Sequence, residues 1–99
     1  MQVVRKKPGE MPELIRIENT LEALQKEVGG YIETFGLASD AVLVCNEEGK
    51  LLGLPYNITL FGEPFVGTIL IAGDGGEELA SVPEPDFWMK QLEELMETD

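Results

Sequence analysis

The feature that most limits what this chain can fold into is Phe65–Gly73, its longest apolar stretch. It is far shorter than the roughly 20 residues a membrane helix needs. Read over Phe65–Ala72, with Thr68 as its only polar member, it predicts one central β-strand covered on at least one face. A turn at Gly73–Gly76 and a partner strand at Glu77–Ser81 follow. The chain therefore needs a sheet and something to lay on it.

The covering elements are two helices. Asn19 is the expected N-cap of the first, with Glu22 closing a capping box three positions on. Leu21, Leu24 and Val28 form its apolar stripe, and Gly29-Gly30 stops it. The second spans about residues 86–97, capped by Asp86. Trp88, Leu92, Leu95 and Met96 face inward there, and Glu93, Glu94 and Glu97 face water. Leu14–Glu18, before the first helix, and Tyr31–Leu37, after it, alternate as strands do. Ala41–Cys45 reads as a strand returned by Lys50–Leu54 through the Asn46–Gly49 turn, and residues 55–64 read as irregular. The 99 residues suit a single α+β domain, with an antiparallel or mixed sheet of about five or six strands and two α-helices.

Charge is distributed unevenly. The net charge is −12, yet residues 1–16 carry Arg5, Lys6, Lys7 and Arg16 against Glu10 and Glu13, a local +2. The remainder carries −14. Val3-Val4 before the Lys7-Pro8-Gly9 turn reads as an edge strand whose lysines discourage pairing, in preference to a basic arm. At 43% apolar the chain is too hydrophobic for a disordered acidic tail. No basic-then-apolar leader opens it, so secretion is not expected.

Chemistry is sparsely provided for. One cysteine, Cys45, and no histidine exclude an internal disulfide, a Cys/His zinc site and a Cys/His or Ser/His/Asp catalytic group. Cys45 reads as a small buried hydrophobe. The pairs Glu47/Glu48 and Glu77/Glu78 could in principle serve as acid and base, but adjacent acids beside glycine turns read first as solvated surface. Asp74–Glu78 lacks the alternating ligands and closing glutamate of a calcium loop. No phosphate-cradling glycine spacing occurs, and Gly67 reads as a bulge or a close backbone contact. The expectation is a protein without enzymatic activity, metal or cofactor. A body at −14 is repelled by nucleic acid but attracts proteins built to hold it.

The run Ile17-Glu18-Asn19-Thr20-Leu21-Glu22-Ala23-Leu24-Gln25-Lys26-Glu27-Val28-Gly29-Gly30 resembles a specific family. So do Asn46-Glu47-Glu48-Gly49-Lys50-Leu51, Leu54-Pro55-Tyr56-Asn57 and Phe65–Ile71. The resemblance is to domain of unknown function 3846, and it spans most of residues 3–82. It implies a protein of bacterial phages, prophages, plasmids and conjugative elements, largely of Firmicutes and Actinobacteria, hence of the bacterial host cytoplasm. It assigns no activity. An arginine that often follows the equivalent of Asn57 in relatives is Ile58 here, which removes a basic group.

Two functional expectations follow, beside an accessory protein-interaction role unrelated to defence. The first is an anti-defence inhibitor that occupies the basic groove of a host CRISPR effector or restriction enzyme. Its contacts would be Glu47, Glu48, Asp74, Glu77, Glu78, Trp88, Glu93, Glu94 and Glu97. It would neither bind nucleic acid directly nor enter a membrane. The second is a sponge for a nucleotide immune signal, with Lys50, Tyr56 and Asn57 lining the pocket.

Overall fold

In the computed structural model, which describes residues 1–98, strand β1 (Gln2–Lys6) runs beside β2 (Glu13–Arg16) on one side. On its other side lies β7 (Ile69–Asp74), followed by β4 (Ala41–Asn46) and β3 (Ile32–Ala38). The short β8 (Leu79–Ala80) pairs with the end of β7, completing a six-stranded sheet. All its pairings are antiparallel.

Both faces of this sheet are covered, which is why β7 shows no polar alternation. Ile69 and Ile71 join Val4, Leu43, Trp88 and Leu92 under helix α2 (Pro85–Thr98). Leu70 and Ala72 join Val3, Val44, Leu24 and Val28 under helix α1 (Leu21–Val28). Neighbouring residues of a strand point to opposite faces, so one apolar run feeds two cores. The domain is α+β, with the sheet as its middle layer.

Several expectations shift in detail. The cap of α1 is Thr20, whose hydroxyl accepts from Ala23 N at 3.1 Å. Asn19 instead donates to Leu79 O at 2.9 Å and ties the helix entrance to β8. Either side chain can cap, so the sequence alone could not separate them. At the start of α2, Pro85 takes the first helical position, where its missing N–H costs nothing. Asp86 lies within the first turn, and Glu84 O accepts from Phe87 N and Trp88 N. The inward placement of Trp88, Leu92, Leu95 and Met96 holds.

The reading of β1 as an edge strand is corrected. Val3 and Val4 are fully buried, and β2 supplies the edge. Lys50–Leu54 does not return as a strand: both sides of β4 are taken by β3 and β7, so the segment folds into successive turns. Residues 55–64 are not irregular. They contain β5 (Tyr56–Leu60), which pairs with β6 (Glu63–Val66) in a two-stranded sheet on the α2 side.

Phe65–Ala72 is thus two strands, broken at Gly67. That residue sits at φ 72°, and a Cβ there would lie 2.7 Å from Leu54 Cδ1. Gly67 is thus the expected close approach, and its positive φ falls where β6 ends and the chain turns into β7.

Candidate functional site

The basic residues of the first strand are spent inside the fold. Successive residues of β1 face opposite layers, so Arg5 meets α1 and Lys6 meets the β5–β6 hairpin. Arg5 donates to Glu27 at 2.8 Å and to Glu13 at 3.1 Å, and these bonds, Glu27 first, hold its pKa above the ordinary value. Lys6 is 1% exposed; its ammonium donates to Lys7 O at 2.9 Å and to Asn57 Oδ1 at 3.0 Å. No basic arm projects from β1.

Apart from those that Arg5 holds, the acids of the turns lie on the surface, and strand order divides them. Ala41 pairs with Gly73 and Val44 with Leu70, so the end of β4 and the end of β7 point in opposite directions. Glu47 and Glu48 leave one end of the sheet, whereas Asp74, Glu77 and Glu78 leave the other. A six-residue strand separates them by roughly 20 Å. The turn carboxylates do not share one face.

The β7–β8 end gathers the larger group. Asp74 N donates to Asp40 O at 2.9 Å, which brings the β3–β4 turn alongside. Val82 N donates to Gln2 O at 2.8 Å, so Glu84 and Asp86 follow at the same end. Along α2 the exposed positions are Asp86, Phe87, Lys90, Glu94 and Glu97, a single helical stripe. Glu93 is half-buried beside it. Asp40, Asp74, Glu77, Glu78, Glu84, Asp86, Glu94 and Glu97 are thus exposed over this end and down the helix, a predominantly acidic band that Lys90 interrupts. Phe87, 50% exposed, stands on it edge-to-face with the buried Trp88 at 5.1 Å. Trp88 itself, 8% exposed, belongs to the core.

The opposite end carries the concave features. A cavity of about 220 Å³ opens between β3, the end of β4 and β6. Phe35, Cys45, Phe65 and Val66 line its depth, and Glu33, Glu47, Lys50 and Glu63 its mouth. Burial, with Glu33 second, pushes the Cys45 thiol up to about 11, so it stays protonated near neutral pH and is a poor nucleophile. A shallower groove lies between the end of α1 and the 48–52 turns, lined by Lys26, Tyr31, Glu48 and Leu52 among others.

The proposed nucleotide ligands do not come together. Lys50 lines the cavity and pairs with Glu63 at 3.3 Å. Tyr56 is exposed, its hydroxyl 2.8 Å from Thr59 Oγ1. Asn57 is buried, donating to Lys6 O at 2.8 Å and Gly67 O at 2.7 Å. Among the described residues no three of His, Cys, Asp and Glu lie close enough to hold a metal ion. Asp74 Oδ1 is taken up by Gly76 N at 3.0 Å. No helix of the described residues is long and apolar enough to cross a membrane.

Sequence reasoning missed Leu51 and Phe61, which are 88% and 81% exposed. The one available signal was Phe61-Gly62, an unusual pair for a hairpin turn.

Architecture and surface define a small three-layer α+β domain with an acidic exterior. The chain belongs to the family described as Domain of unknown function (DUF3846), whose sequence signature matches residues 1–97. No curated protein and no solved structure gives a significant match.

Proposed function

We propose that the protein is a mobile-element inhibitor that docks its acidic band in the basic groove of a host nucleic-acid-directed enzyme, such as a CRISPR effector or restriction enzyme. One observation supports this above the others: Arg5 and Lys6 are consumed internally while the acids of the β7–β8 turn and α2 face solvent. Arg5 and Lys6 are matched by Glu13 and Glu27, so the net charge of −12 is carried by the remaining, mostly exposed residues. The field of that charge raises the encounter rate with a basic groove, and a half-exposed aromatic supplies an apolar anchor within it. Phe87 takes the anchoring part assigned above to Trp88, and Glu47 and Glu48 fall outside the contact.

Affinity capture from bacteria carrying CRISPR and restriction systems tests the proposal. The protein should recover a nuclease or other nucleic-acid-binding enzyme, duplex DNA or guide RNA should displace it, and its cleavage activity should fall. Glu77→Lys, Glu78→Lys and Glu94→Lys together should abolish recovery. Capture that nucleic acid does not compete, or that survives the triple reversal, contradicts the proposal.

A further inference from the structure

We infer that a second copy of this chain pairs with the free edge of the six-stranded sheet, β3 against β3, antiparallel about Thr34. The surface is separate from the acidic band, and the pairing does not rest on the function proposed above.

The sheet ends in two strands, β2 and β3. β2 is four residues long, carries Glu13 and Arg16 and follows Pro12, all features that blunt an edge against further pairing. β3 is seven residues long, contains neither lysine nor proline, and has Glu33 as its one charge. An edge left in that state is a template for another strand.

Register shows which atoms the edge offers. Glu47 N donates to Tyr31 O at 2.8 Å, which makes Tyr31 and Glu47 a hydrogen-bonded pair of the β3–β4 ladder. Bonded pairs recur at every second residue, so Glu33 with Cys45 and Phe35 with Leu43 come next. The N–H and C=O groups of the residues between, Ile32, Thr34 and Gly36, therefore point away from β4. No strand or turn among the described residues bonds to them. Gly36 has only backbone to show and is exposed, as is Thr34.

These three residues are complementary to themselves. With a two-fold axis at Thr34, that residue meets its own counterpart, and Ile32 meets the partner's Gly36. Each pair exchanges two hydrogen bonds. The side chains agree with this register. Threonines facing each other across strands are favourable. Ile32, half-buried in one copy, lies over the partner's Gly36, where even an added Cβ would meet nothing within 4 Å. Glu33 falls opposite Phe35, so the two carboxylates stay diagonal to each other. An axis at Glu33 would set them face to face, which is destabilising. An axis at Phe35 would put Ile32 against Ala38, beyond the register shift that interrupts β3. Both copies carry −12, so their pairing tightens as salt screens the repulsion. Docking through the acidic band responds to salt in the opposite sense.

Sedimentation equilibrium of the full chain should show monomer and dimer with a Kd on the order of 100 µM, as expected for a contact below standard interface size. It should tighten several-fold between about 50 mM and about 500 mM salt. Amide exchange of the ¹⁵N-labelled chain locates the contact. Ile32, Thr34 and Gly36 should gain several-fold protection as concentration rises through the Kd, while Glu33 and Phe35, bonded to β4, are protected throughout. Thr34→Lys sets two ammonium groups against each other, and Thr34→Pro removes an N–H that the single copy does not use. Each should abolish the dimer, and Thr34→Lys decides if the proline variant fails to fold. Under oxidation Thr34→Cys should give a disulfide-linked dimer and Glu33→Cys should not. A monomer at every concentration up to about 1 mM, a dimer that Thr34→Lys leaves intact, protection gained at other residues, or a dimer that salt weakens would each overturn the inference. None of these measurements involves a host enzyme, so either proposal can fail alone.

Discussion

Lys6 and Asn57 hold each other at both ends: the Lys6 ammonium donates to Asn57 Oδ1 at 3.0 Å, and Asn57 Nδ2 donates back to Lys6 O at 2.8 Å. The same amide group donates to Gly67 O at 2.7 Å. One buried side chain therefore fixes β1, β5 and the break between β6 and β7. Asn57→Ala strips an acceptor from a buried ammonium and leaves two carbonyls without their donor. Bonds to charged groups contribute about 1.5–3 kcal/mol, and stranded partners add to the loss. Urea denaturation should show a destabilisation of about 3 kcal/mol, against less than about 0.5 kcal/mol for a surface change such as Glu22→Ala.

At the tip of the β5–β6 hairpin, Phe61 and Gly62 have φ of 51° and 77°, and Leu60 pairs with Glu63. Positive φ at both central residues is the geometry in which Asn-Gly is favoured. Phe61→Asn should raise stability by about 1 kcal/mol, since asparagine tolerates this conformation and little buried area is lost. Thermal and urea melts should agree in sign. A loss of stability would mean that the ring contributes packing the fold does not show.

The pH dependence should carry the signature of Cys45. Its folded value of about 11 lies above the ordinary 9.0, so between these values the folded chain binds more protons than the unfolded one. Stability is then fully present below about pH 9 and falls as pH rises towards 11. The difference in unfolding free energy between wild type and Cys45→Ala should shrink across that window, and iodoacetamide should label the native thiol slowly at pH 8. A constant difference from pH 8 to 11 would contradict the assignment.

On α2, neighbouring positions should separate stability from charge. Trp88→Ala removes a core ring and should cost about 3–5 kcal/mol. Glu94→Lys and Glu97→Lys lie on the exposed stripe and should each stay within about 0.5 kcal/mol. Glu93→Lys should cost more than either, because its side chain is half-buried.

What the sequence made legible was local. The glycine stop of α1, the inward face of α2 and the alternation of β2 and β3 are each written in a few adjacent residues; of the expected α1 stripe Leu24 and Val28 are buried, whereas Leu21, in the first turn, is 54% exposed. What it hid was set from a distance. Lys6 finds Asn57 51 residues away, and the break at Gly67 packs against Leu54 from another loop. The β5–β6 hairpin was masked by Pro64 within a strand, a register shift between Tyr56 and Ile58, and a turn lacking asparagine. Turn acids could be read as surface residues one by one. Their separation into two groups depends on the antiparallel pairing of β4 with β7, which no local pattern encodes.

The salt dependence of association with the captured enzyme tests the acidic-band proposal most directly. Stopped-flow rates for wild type should fall by about tenfold or more between low and high ionic strength, as screening shortens the reach of the band. Two variants of equal net charge should then be compared. Glu77→Lys, Glu78→Lys and Glu94→Lys reverse the band, and Glu10→Lys, Glu22→Lys and Glu48→Lys lie outside it, each set moving the net charge from −12 to −6. The first set should lose most of the on-rate and its salt slope, while the second keeps most of both. Equal losses in the two sets, or a wild-type rate that salt leaves unchanged, would contradict recognition through the band.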